Sequence, residues 1–146
     1  MKTVTIDIDI DKVFREVYKT TAYAAVQRGD NKLVATADNE NILTTYYAEG
    51  WVLLCGLLAH YSPTLEYEND DVSIPFPYSV EISMPDNWNG EDEDLKFLAC
   101  EYMVNFVLLK WFGLTADGEK FAAAAKVATE NIKVLLSKRK KPEYGK

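Results

Sequence analysis

The sequence is poor in the residues on which most enzyme chemistry depends. Its 146 residues include one histidine, His60, and two cysteines, Cys55 and Cys100. The cysteines have no Cys-x-x-Cys spacing, and no second histidine completes a zinc set. Both cysteines lie in apolar runs, which is typical of buried, inert thiols, and His60 sits at the end of an apolar stretch. Because no catalytic set is recognisable, we predict that the protein is not an enzyme.

Motifs for small ligands are missing or incomplete. The seven glycines are scattered, so no glycine-rich loop exists to hold a nucleotide, and we expect no cofactor. Asp7, Asp9 and Asp11 imitate the opening of a calcium loop, which requires glycine at its sixth position and glutamate at its twelfth. Those positions are Lys12 and Tyr18. The aspartates instead fit a strand that leads into a helix cap, and we predict no metal site.

Basic residues are absent from a long central stretch. Between Lys32 and Lys96 there are thirteen acidic residues and no lysine or arginine, whereas six basic residues and one glutamate occupy positions 133–146. The net charge of −7 disfavours a nucleic-acid or anionic-membrane surface. The segregation fits a solvated hairpin beside an ordinary helix end. Alternatively, opposite charges favour head-to-tail contacts between identical subunits, which close into a ring when the rotation permits.

Membrane and export signals are weak. The first ten residues, MKTVTIDIDI, lack an apolar signal core, and the two cysteines suggest no disulfide framework, so a cytoplasmic location is expected. Glu49 is the single charged residue between Ile42 and Ala59, which approaches the lower limit for a membrane span. Polar residues and glycines interrupt this stretch. We therefore predict a buried helix and no membrane partner.

Apolar residues recur along the sequence at the spacings of helices and strands, and this periodicity predicts a mainly α (α+β) fold. A single domain over residues 1–146 is expected, with four helices and an inserted β-hairpin or small sheet. The predicted helices span 11–28, 37–61, 93–113 and 116–140. A strand or arm covers 1–10 and joins the sheet, and the hairpin covers 64–84.

Aromatic and basic residues are the candidates for contacts with other proteins. Trp88 lies in the polar loop DNWNGEDED, where an exposed indole would suit a partner pocket, although folding back on the hairpin is an equal alternative. Trp111 ends a long apolar helix. The candidate interface residues are Trp88, Trp111, Lys138, Arg139, Lys140 and Lys141.

Four segments carry a resemblance to a known group of proteins. KVFREVYKTTAYAAVQ, MPDNWN, FLACEYMVNFVLLKWFGLT and LLSKRKKP resemble uncharacterised small proteins encoded among the virion genes of prophages in gut Bacteroidetes, over residues 12–142. The order of elements is also similar to head-to-tail connector (neck or adaptor) proteins of tailed phages. That resemblance implies a ring of packed helices from residues 95–136 and a reaching element at 64–84. The acidic hairpin region departs from the better-known connectors.

Three functions follow from these observations, in order of preference. The first is a non-enzymatic virion component at the head-to-tail junction or tail, whose partners are its own copies and other virion proteins. Such a protein resides in the host cytoplasm and then in the virion. The second is an acidic binding module, such as an immunity or inhibitor protein, that occupies a basic site on a partner. The third is a small enzyme that uses His60 or the carboxylates.

Overall fold

Four α-helices and a two-stranded sheet make up the part of the chain that the structure, a computed structural model, describes: residues 2–61 and 79–141. The elements are β1 (Lys2–Asp7), α1 (Ile10–Arg28), α2 (Glu40–Tyr61), β2 (Ser79–Met84), α3 (Asp92–Phe112) and α4 (Ala116–Leu136). Two 3-10 turns, Asn31–Leu33 and Ala37–Asn39, link α1 to α2. The prediction of a mainly α fold with a small β element is therefore confirmed.

The sheet joins the start of the chain to its middle. β1 runs antiparallel to β2, with Lys2 opposite Met84 and Asp7 opposite Ser79. Alternate residues of both strands are buried, so one face of the sheet closes the core and the other meets solvent. β2 is the end of the predicted hairpin 64–84. The rest of that hairpin, 64–78, lies outside the described residues.

Helix α3 is the centre of the helical packing. It contacts α4, α2, α1 and β1, which explains why apolar residues occupy most of its circumference. Gly50 lets α2 approach closely, since a Cβ at this position would lie 2.7 Å from Cδ1 of Phe106 and 3.3 Å from Cε of Met103. The antiparallel pair of α3 and α4 is the most extensive contact between helices.

The helix ends follow ordinary capping chemistry. The Asp9 carboxylate accepts hydrogen bonds from the backbone N–H groups of Asp11 (3.0 Å) and Lys12 (3.4 Å) and so caps α1. Gly29 ends α1 with a φ of 64°, a left-handed conformation that favours glycine. Thr115 caps α4 by accepting from the N–H of Gly118 at 3.0 Å. Of the three aspartates in the incomplete calcium motif, Asp7 thus ends β1, Asp9 caps α1 and Asp11 lies in the first turn of α1.

The largest difference from the predicted boundaries is at the end of α4. The helix ends at Leu136, four residues before the predicted end at 140. The chain leaves the helix because its next backbone groups find partners elsewhere: the N–H of Asn89 donates to Lys138 O (3.1 Å), and the N–H of Lys140 donates to Asn87 O (2.7 Å). At the other boundaries, α2 begins at 40 after a 3-10 turn, and α1 and α3 each begin one residue early.

Candidate interaction surfaces

Trp88 is a buried core residue rather than an exposed contact residue. Its side chain is 3% exposed, and its indole N–H donates to Leu135 O at 2.9 Å. The ammonium of Lys2 lies 5.3 Å from the ring centroid, while the backbone of Gly90 packs directly against the ring. The interpretation of Trp88 as an exposed anchor for a partner is therefore wrong. The indole folds back because a buried carbonyl at the end of α4 accepts its proton.

The basic end of α4 lies beside the acidic loop within the same chain. Trp88 and Arg139 form an isolated antiparallel bridge, and Arg139 donates to the carbonyls of Leu136 (2.8 Å) and Lys138 (2.9 Å). Lys138 shares a groove with Asp94 at the start of α3. Residues 138–141 are exposed, so their side chains are open to solvent. The charges that are separated in sequence are thus partly adjacent in space, which weakens the argument for head-to-tail charge pairing between subunits.

Trp111 is half-buried at the other end of the core. Its indole N–H donates to Leu33 O at 2.8 Å, which ties the end of α3 to the 3-10 turn after α1. A contact of Trp111 with another protein stays a prediction.

One side of α2 presents an apolar surface to solvent. We call it the α2 outer face and define it by the exposed residues Ile42, Thr45, Glu49, Val52, Leu53 and Gly56, which recur every three or four residues except for the neighbours Val52 and Leu53. Ile42, Val52 and Leu53 are 44%, 40% and 57% exposed. The charge of Glu49 is paired with Lys110 at 3.0 Å. The face therefore carries methyl groups and almost no free charge, although the opposite side of α2 lies in the core.

The same helix is apolar and long enough to cross a membrane. Within the described residues, Ala37–Tyr61 has a mean hydropathy of 1.4 over its most apolar 18 residues, of which 39% are buried. Interfacial helices that bind anionic lipids carry lysine and arginine along their polar side. The chain has no lysine or arginine between Lys32 and Lys96. The length and composition of α2 are those of a membrane span, and the core helix of a soluble protein has the same features.

An acid-rich groove runs between the first turns of α1 and α3. This acidic groove has a volume of about 510 Å³ and is bordered by five carboxylates and two lysines. These residues are Asp7, Asp9, Glu16, Glu93, Glu101, Lys12 and Lys96. Cys100 also lines it, and burial is the main cause that raises the pKa of its thiol. The thiol is therefore protonated at neutral pH, and the charged residues of the groove are mainly acidic.

The remaining residues singled out in the sequence do not come together. Burial raises the pKa of Cys55 to about 12, so this thiol is inert at neutral pH. His60 is exposed at the end of α2 and makes an edge-on contact with Tyr61 at 5.0 Å between ring centroids. In residues 2–61 and 79–141, histidine, cysteine and carboxylate side chains form no cluster of three that could hold a metal ion.

Comparison of the chain with protein-family models, with curated proteins and with solved structures finds no match. The surfaces described above therefore carry the functional argument. Sequence reasoning missed the exposed apolar residues of α2 and one exposed phenylalanine on α3, Phe97. The sequence carries no signal that distinguishes these residues, since the most apolar stretch of a chain is ordinarily buried on all sides.

Proposed function

We propose that the protein is a non-enzymatic structural subunit that packs the α2 outer face against neighbouring subunits. The observation that carries this proposal is the exposure of Ile42, Val52 and Leu53 on a helix whose charge at Glu49 is already paired. Exposed aliphatic side chains that share one helix face are typical of protein contact sites. Burial of these side chains against a similar helix supplies the association energy, and no charge is left unpaired.

The proposal places this subunit in a phage or prophage virion, at the head-to-tail junction or in the tail. Support comes from the resemblance of residues 12–142 to prophage virion proteins and from the order of long helices around an inserted β element. Its partners would be further copies of itself and other virion proteins. Deletion of residues 138–146 tests the separate idea that terminal charge sets the register of assembly, since unchanged assembly at low salt would contradict it.

The α2 contact is tested by measuring solution mass, using light scattering after size exclusion, over a range of concentrations and at low and high salt. Leu53→Glu places a charge in the middle of the α2 outer face and should reduce the mass at every concentration at which the wild-type protein associates. Val26→Glu is the matched control, because Val26 is 82% exposed and belongs to a different helix, α1. An apolar contact should survive high salt. A monomeric wild-type protein at all concentrations, or an unchanged mass for Leu53→Glu, contradicts the proposal.

The acidic groove favours a second candidate function, capture of a basic partner. Five carboxylates around one cavity match a lysine-rich segment of an inhibited enzyme or toxin. Calorimetric titration with a lysine-rich peptide tests this candidate, with the double variant Glu93→Lys and Glu101→Lys as comparison. One-to-one binding that the double variant loses supports it. Equal binding to both proteins indicates nonspecific charge attraction and counts against it.

A further inference from the structure

We draw no further inference here: the strongest candidate, the exposed Phe97 on α3 with the grooves that it borders beside α1 and α4, is an unpartnered apolar surface, and nothing in the structure shows what covers it.

Discussion

Two apolar regions of the molecule differ in their exposure to solvent: the surroundings of Trp88 are buried, whereas the α2 outer face is exposed. Around Trp88, the start of β1, the loop 85–90 and the segment 138–140 meet, and hydrogen bonds and a cation–π contact close the site. On the α2 outer face, Leu53 is 57% exposed. The first region therefore serves the stability of the single chain, and the second is available for contact with another molecule.

Among the substitutions that test this comparison, Trp88→Ala should have the largest effect on the free energy of unfolding. Truncation of a buried tryptophan leaves a cavity and typically costs about 3–5 kcal/mol in the free energy of unfolding. Here the substitution also removes the donor to Leu135 O. Urea unfolding followed by circular dichroism measures the loss, with Leu53→Ala as the exposed control. Similar losses for the two variants would contradict the assignment of Trp88 to the core.

Two glycines should respond to alanine with opposite signs. A Cβ at Gly90 collides with the Trp88 ring, so Gly90→Ala should destabilise the fold by about 1–3 kcal/mol, as overpacking does. In the described part of the chain, a Cβ at Gly56, on the α2 outer face, would meet no heavy atom within 4 Å apart from its chain neighbours and the backbone of its own helix. Gly56→Ala should therefore stabilise the helix by up to about 1 kcal/mol. Thermal unfolding measures the change in melting temperature of both variants. Changes of the same sign in the two variants would contradict this prediction.

The hydrogen bond of Trp88 can be isolated with a second tryptophan as reference. Trp51 is also buried, on the inner side of α2, but its indole N–H has no hydrogen-bond partner in the part of the chain that the structure describes. Trp88→Phe removes a made bond, whereas Trp51→Phe removes none. We expect Trp88→Phe to cost about 1 kcal/mol more than Trp51→Phe in denaturant unfolding. An equal cost would show that the bond to Leu135 O contributes nothing net.

The same comparison shows which parts of the fold were predictable. Helix periodicity predicted α1 over 11–28 and the start of α4 at 116, where the structure places the caps Gly29 and Thr115, because these signals act within a few residues. The placement of Trp88 was not predictable, since its covering comes from Leu135 and Arg139, about fifty residues later. The polar residues around Trp88 predicted an exposed ring. The indole instead donates to the distant backbone carbonyl of Leu135 and is buried.

The exposure of α2 was missed for a related reason. A stretch with one charge in eighteen residues predicts a buried helix. Burial on all sides requires neighbouring elements around the whole helix, and the sequence does not show how many elements pack against it. The described structure supplies α3 on the side of Gly50 and Leu54, while Val52 and Leu53 face outward. The candidate contact surfaces were therefore visible only when the packing of the helices was known.

The smallest expected effect on folding is that of Leu53→Ser. Because Leu53 is 57% exposed in the single chain, its replacement should change the free energy of unfolding of the monomer by no more than about 0.5 kcal/mol. The same substitution removes apolar area from the proposed subunit contact and should lower the solution mass at a given concentration. Unfolding at micromolar concentration and light scattering at high concentration separate the two effects. A large loss of stability in the monomer would mean that Leu53 is covered within its own chain, and the α2 outer face would then lose its role as a contact surface.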